Sequence, residues 1–494
     1  MIEQLPMINL LLLLGTALII PLFKKRKFSV TLITGFLVML VVWISSVILL
    51  VHVHSEGTFY YALGMHDARV GLEFRIDVFA VLFTLFVLTL AMLIYVYSCG
   101  DATEGIHEKE YGRYYILLFI LLFSMFGIIY TNDLFNTYVF MEILSITTCS
   151  IISIKRKKDN YSAAFRYVML NEIGSLSYLF GVALLYMITG YTNIELVSEG
   201  LQASWTAYPA NIVTAIGFMV VGIGLKAAIF PFHIWLPDAH STAPTSSSAI
   251  LSAIVVKVYI LILVKVLFRV FGVDIITTLN IPLVLSGLAA LGMVMGSVFA
   301  LAQNDIKRML GYSSVAQIGY IIMAIGLMSA AGLTAAFFHI VSHGIMKTVL
   351  FLSVGAIIYL KRIRKVHGYG GMGYVAPLTM FIFGVAALGM IGIPATSGFI
   401  AKLNLGVASL EGGRGVFIGI IIVSSILNAL YYLPILISAF FKMEPSTPPM
   451  MRIEKLPLTM LVPMVILGLA IVMIGFFPNT LLTLIESAVA NFAL

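Results

Sequence analysis

Gly222-Ile223-Gly224-Leu225-Lys226-Ala227-Ala228-Ile229-Phe230-Pro231-Phe232-His233-Ile234-Trp235-Leu236-Pro237 is the stretch on which the reading of this chain turns. An apolar run with small residues reaches a lysine and is then cut by two prolines. Each proline removes a backbone donor and opens the helix ladder. The surrounding composition identifies the solvent. Of 494 residues, 61% are hydrophobic and 10% charged, and the mean hydropathy is +1.07. A soluble protein carries about a quarter charged residues, and a tenth cannot coat a 54 kDa globule. Soluble, disordered and nucleic-acid-binding proteins are thereby excluded. The solvent is lipid, where a broken helix survives only if protein or water satisfies the groups it frees.

A spanning helix needs about 20 apolar residues. Such runs lie near 7–23, 28–51, 76–98, 114–131, 133–153, 164–188, 209–231, 247–268, 276–300, 311–330, 333–358, 376–394, 416–441 and 457–480. The chain therefore reads as an all-α polytopic membrane protein with fourteen predicted spans. The longest loops, near 52–75, 99–113 and 189–208, are too short for a soluble domain. Residues 1–494 form one transmembrane domain: three N-terminal helices in 1–113, a repeat in 114–270, a second repeat in 271–441 and a last helix in 442–494. Lys24-Lys25-Arg26-Lys27 follows the first span. A cleaved signal peptide carries its positive charge before the apolar run, so this span reads as a retained helix.

The formal charge of +7 reports topology, because Lys and Arg collect in cytoplasmic loops. Twenty basic residues follow odd-numbered spans, in clusters such as Lys24–Lys27, Lys155–Lys158, Lys361–Lys365 and Lys442…Arg452…Lys455. Four, Arg69, Arg75, Arg269 and Arg414, follow even-numbered ones. Both termini are therefore expected outside the cytoplasm. The two cysteines, Cys99 and Cys149, exclude a thiolate-held iron–sulfur cluster, a Cys-rich zinc site and a disulfide framework within the chain. No cofactor is expected.

Five lysines fall inside or beside the spans: Lys226, Lys257, Lys265, Lys347 and Lys402. Glu142, Glu172, His339 and His343 do too. A lone charge at the bilayer centre costs about 2.5–3.5 kcal/mol on insertion scales, and such groups are usually paired, sit on water and belong to an ion path. The plainer reading of each is a structural contact that pins two helices. Depth argues against that for Glu142, midway along the fifth span, and for Lys226, one turn before the break. Desolvation favours a neutral amine and a nearby carboxylate favours the ammonium. Separating a Glu–Lys pair can therefore release a proton. Lys257, mid-way along the eighth span, and Lys402, just after a second broken stretch, are candidate relays. His339 and His343 are four apart and share a helix face, with Lys347 continuing it. No third metal ligand suggests itself, so a hydrogen-bonded relay is the better reading than a metal site. Lys265 and Glu172 read as structural, by snorkelling and by pairing with a neighbouring helix.

Gly392-Ile393-Pro394-Ala395-Thr396-Ser397-Gly398-Phe399 is the second broken stretch. The expected helix breakers are Pro231 and Pro237 in the seventh span and Pro394 and Gly398 in the twelfth. Interrupted helices at corresponding places in two halves point to repeats and to an ion site. Spans 4–8 and 9–13 make two five-helix repeats. Five is odd, so the second is inverted in the membrane. Each break carries one buried lysine, but the tenth span has no acidic counterpart of Glu142.

From Gly224 through Thr245 the sequence resembles the signature of the antiporter-like subunits shared by Mrp-type cation/proton antiporters, membrane-bound hydrogenases and respiratory complex I. Gln303–Ser314, His343–Phe351 and Pro394–Lys402 resemble further family segments, and Glu142 stands where the family keeps a glutamate. The likeness runs from about 70 to 440. Ser246-Ser247-Ser248 replaces a frequent Pro-Val-Ser, implying a less kinked start to the eighth span, and Ala395 replaces a common second proline. Asp133–Glu142 and Lys402 look most like the D-type Mrp subunit and hydrogenase-type relatives; some complex I paralogues have Glu at the latter position.

The resemblance implies a hydrated axis in the order Glu142, Lys226, Lys257, His339/His343 with Lys347, then Lys402. It implies a proton-translocating subunit with no redox centre of its own, in a prokaryotic plasma membrane. Its partners would be homologous antiporter-like and small membrane subunits and the lipid bilayer; H+ is the expected ion and Na+ the alternative. The rival readings are a proton-pumping subunit of a complex I-type oxidoreductase, a stand-alone secondary transporter and a structural subunit. An enzyme acting on lipid or quinone finds no nucleophile triad, metal triad or phosphate loop in the sequence.

Overall fold

The computed structural model describes residues 2–22, 28–63, 72–101, 105–441 and 454–492. Lys24–Lys27, Arg69, Lys442 and Arg452, on which part of the charge count rests, lie outside the described residues. The fold is almost wholly helical. Among the described residues, twelve helices, from Ile2–Leu22 to Leu458–Phe476, are long and apolar enough to cross a bilayer, and each falls on a predicted span. The tenth predicted span falls on the helix Ile306–Ile325. The twelfth, 376–394, falls on the half-helix Pro377–Ile391 alone; a second half-helix, Ser397–Glu411, follows in a stretch that no predicted span covers, and each has 15 residues. At about 1.5 Å per residue, neither half covers a hydrocarbon core of about 30 Å alone.

Two helices form the centre. The apolar windows of Thr245–Thr278 and Ala330–Lys361 are wholly buried by the helices around them. Ala330–Lys361 packs against Ile306–Ile325, both half-helices and Leu458–Phe476. Thr245–Thr278 contains two π-helical stretches, Leu251–Val255 and Lys265–Phe271. Such stretches loosen the regular ladder and recur at functional sites. The irregularity of this helix therefore lies further in than the serines that suggest a straighter start.

The first interruption separates Pro209–Lys226 from Trp235–Thr242, with Pro231 between them. Pro237, expected to break the helix, instead sits in the first turn of the downstream helix. Proline is tolerated there because the first N–H groups of a helix have no intrahelical partner. The second interruption follows Ile391 and contains Pro394, with Gly392 at φ +93°. Gly398, also expected as a breaker, is the second residue of the downstream helix. Its missing side chain serves packing: a Cβ there would lie 2.0 Å from the Gly389 carbonyl oxygen. Ala395 stands at φ +70°. Proline is held near −65°, so this backbone could not carry the family's second proline.

At one end of the molecule, a hairpin and two short helices stand in segments that read as plain loops or as the chain end. A hairpin pairs Phe59–Ala62 with Glu73–Ile76. Ile194–Ser204 is a short helix capped by Asn193, and Asn479–Val489 is another. They meet there: Arg75 Nη1 lies 2.9 Å from Glu195 Oε1 and Thr58 Oγ1 donates to Asn491 Oδ1 at 3.1 Å. All are too short for a reading based on bilayer thickness to register.

Gly398→Val is expected to lower the thermal unfolding midpoint of the purified chain, because the opposing atom is backbone and overpacking costs about 1–3 kcal/mol or more. A midpoint equal to wild type would show that the half-helices are not in the close contact described.

Candidate functional site

Lys226 is the last residue of its half-helix, where the chain leaves the α conformation at Ala227 and Ala228 takes φ +53°. The carbonyl of Leu225, freed by that ending, accepts the Trp235 indole N–H at 2.8 Å. A cation is favourable at a helix C-terminus. The Lys226 ammonium is wholly buried. It donates to Ser145 Oγ at 2.6 Å, lies 3.6 Å from Glu142 Oε1 and sits 5.5 Å from the centroid of the Tyr259 ring. The Glu142 contact is an ion pair beyond hydrogen-bond length, and Glu142 Oε1 has no hydrogen-bond partner.

Gly174 and Gly222 set this geometry. A Cβ on Gly222 would lie 2.5 Å from the Gly174 carbonyl oxygen, and one on Gly174 would lie 2.8 Å from the Gly222 oxygen. The helices Lys158–Thr189 and Pro209–Lys226 therefore touch backbone to backbone. That contact brings Glu172 within electrostatic reach of both Glu142 and Lys226. The sequence suggests that Glu172 pairs with a neighbouring helix, and its carboxyl lies beside the Glu142–Lys226 pair. Glu142 is partly exposed, on a helix whose Phe135, Val139 and Ile146 are exposed as well.

Lys257 is buried and turns back along its own helix to donate to the Ser252 carbonyl, inside the first π-helical stretch. Lys347 donates to the Leu310 carbonyl at 2.8 Å and to Ser313 Oγ, on Ile306–Ile325. His339 Nε2 lies 2.9 Å from Gln317 Oε1. The His339 and His343 ring centroids are 6.1 Å apart, and both His343 ring nitrogens lack hydrogen-bond partners.

His339 stacks on Tyr320, with centroids 5.4 Å apart and planes 9° from parallel. The same Tyr320 ring carries the Lys402 ammonium, 4.9 Å from its centroid. Lys402 Nζ donates to the Met390 and Ile391 carbonyls at 2.9 and 2.8 Å and to Ser425 Oγ at 2.9 Å. Those two carbonyls close the upstream half-helix, so Lys402 caps the helix that its own stretch interrupts. A cavity of about 380 Å³, lined by Lys402, Gly392, Phe399 and Ser425, opens beside it.

The structure thus joins Glu142 to Lys226, and His343 through His339 and Tyr320 to Lys402. Lys257 and Lys347 lie on the two central helices, within electrostatic reach of His343 and of each other. Lys265 is elsewhere: its ammonium donates to the Ile128, Ile129 and Thr131 carbonyls at 2.6–3.0 Å, capping Tyr111–Tyr130. Lys265 is thus buried and does not snorkel to an interface as the sequence suggests, and its three carbonyl partners suit a structural contact. His240 escapes a reading of the sequence, although it stands in the motif that begins at Gly224. It is wholly buried, neither ring nitrogen has a hydrogen-bond partner, and it lies within electrostatic reach of Lys347, Lys307 and Lys257.

Residues 131–428 match the family described as NADH:quinone oxidoreductase/Mrp antiporter, transmembrane. The chain is 34% identical to the N-type subunit of the NADH-quinone oxidoreductase of Desulforudis audaxviator over 87% of both proteins. It is 28% identical to the D-type subunit of the Na(+)/H(+) antiporter of Bacillus subtilis over 81% of this chain and 80% of that protein. Its structure superimposes, with a TM-score of 0.91 and 25% identity, on a chain of the membrane-bound sulfane sulfur reductase, an archaeal respiratory membrane complex, covering 99% of this chain and 97% of that one. The likeness to D-type subunits read from the sequence is thus accompanied by a higher identity to an N-type one. With the family match covering more than half of its length, this multi-pass membrane protein belongs to the NADH:quinone oxidoreductase/Mrp antiporter transmembrane family.

Proposed function

We propose that this chain is a proton-translocating, antiporter-like subunit of a multi-subunit complex in a prokaryotic plasma membrane. Charge moves along Glu142, Lys226, Lys257, His339/His343 with Lys347, and Lys402. The observation that carries this reading is the Glu142–Lys226 pair at the end of a broken helix. At 3.6 Å, with no hydrogen bond to lock it, the pair is close enough to stabilise the ammonium and free to separate. Glu142 is partly exposed on an apolar face. A neighbouring membrane subunit seated there would perturb it, and so change the proton affinity of Lys226 in a coupled fashion. Several buried ammonium groups along one path also repel a metal cation, which favours H+ over Na+ as the ion carried.

The relatives' names support a subunit of this kind and leave two drivers: a Na+ gradient, as for the D-type relative, or quinone-linked redox chemistry, as for the N-type one. We read spans 4–8 and 9–13 as inverted repeats. Their interrupted helices, each with one buried lysine, support this. We also read residues 1–494 as one membrane domain with both termini outside. Ion pairs such as Arg156–Glu110, Arg166–Asp238 and Arg364–Asp305 link the segments read as cytoplasmic, and they are separate from the hairpin end.

In the assembled complex, Lys226→Ala is expected to reduce proton pumping or antiport at least about tenfold while assembly persists. Intact transport would remove Lys226 from the mechanism. For topology, a cysteine placed at Lys157 should react with an impermeant maleimide only in inside-out vesicles. Labelling at that position in intact cells would reverse the orientation.

A further inference from the structure

Lys226 and Lys402 share more than a position beside a break. Each ammonium donates to one serine hydroxyl, Ser145 Oγ at 2.6 Å and Ser425 Oγ at 2.9 Å. Each serine oxygen lies close to one tyrosine hydroxyl, Ser145 to Tyr259 at 3.2 Å and Ser425 to Tyr320 at 3.4 Å. Each ammonium also lies near the ring of that tyrosine, at 5.5 and 4.9 Å from the centroid. The same Lys–Ser–Tyr unit therefore occurs twice.

The two units are built from different helices. Ser145 lies on Leu134–Ser153 and Tyr259 on Thr245–Thr278. In the other unit the tyrosine lies on Ile306–Ile325 and the serine on Val416–Phe441. If the repeats correspond in order, serine and tyrosine have exchanged helices between the halves while the three-part contact is kept. A sequence comparison of the halves would miss it, because neither residue type matches at its own position.

We propose that Tyr259 and Tyr320 are positioning residues, matched aromatic platforms whose ring faces hold the Lys226 and Lys402 ammonium groups over the path. This deepens, and rests on, the proton-translocating reading above. A desolvated cation gains more from an aromatic face than an exposed one does, and all four side chains in the two Lys–Tyr pairs are buried. The ring also suits a group that must gain and lose a proton. It attracts the ammonium without supplying a carboxylate that would fix the charge in place. At Lys402, where no acidic partner takes the place of Glu142, the ring and Ser425 supply the side-chain contacts among the described residues, and carbonyls supply the rest. Tyr320 further links this lysine to His339 through the stacked pair.

The test lowers the electron density of the ring face with only a small change in ring size. Phenylalanine and 3,4,5-trifluorophenylalanine are introduced in turn at 259 and at 320 in the assembled complex, and proton flux is measured in proteoliposomes. Phenylalanine keeps the ring face and should retain flux within about threefold of wild type. Fluorination withdraws charge from the face and should lower flux at least about tenfold further, at both positions. Equal flux for fluorinated and plain phenylalanine overturns the proposal, since the charge on the ring face would then not matter. Loss of flux with plain phenylalanine also overturns it, because the hydroxyl would then be the working group. Neither result touches the axis itself, which stands or falls with Lys226→Ala.

Discussion

The structure depends on meetings between buried ammonium groups and irregular helices. In a bilayer a freed carbonyl is costly and so is an unpaired lysine. Here each lessens the cost of the other. Lys402 occupies the last carbonyls of the half-helix that breaks before it, and Lys265 occupies those of Tyr111–Tyr130. Lys257 takes a carbonyl from a π-helical stretch. Lys226 is itself the final residue of a half-helix and turns to a serine and a glutamate. At Lys402 the break and the charge are one feature, which explains why they adjoin in the sequence.

The surroundings of the buried lysines differ. Lys265 is held by three carbonyls near one end of the molecule, in a geometry that suits a fixed ammonium. Lys226 has a separable carboxylate, and Lys402 borders a cavity. In the proposed mechanism these two exchange a proton. The distinction lies in the surroundings, since the residue type and the burial are the same.

The apolar periodicity and the composition are legible in the sequence, and with them the spans, the buried charges and the two interruptions. Lys226 and Lys402 are legible too, as neighbours of those interruptions. What stays hidden is contact between distant segments. Glu172 joins the Lys226 cluster only because Gly174 and Gly222 let two helices touch, and a glycine pair separated by 48 positions carries no visible sign of contact. Ser145, Tyr259, Tyr320 and Ser425 are ordinary residues for a membrane helix until the fold brings each pair to a lysine. Residue type alone marks Pro237 and Gly398 as breakers, but both lie inside the downstream helices. The hairpin and the two short helices escape because a reading tuned to bilayer thickness does not register elements of their length.

The most direct measurement is proton flux through the assembled complex carrying Lys402→Arg. Arginine keeps the positive charge and the donors that the Met390 and Ile391 carbonyls need, but it does not give up its proton in a protein. If Lys402 must release a proton, the variant assembles with near wild-type thermal stability and its flux falls at least about tenfold. Wild-type flux with arginine at that position would mean that the charge there only holds the broken helix together, and the lysine axis would not be a path for protons.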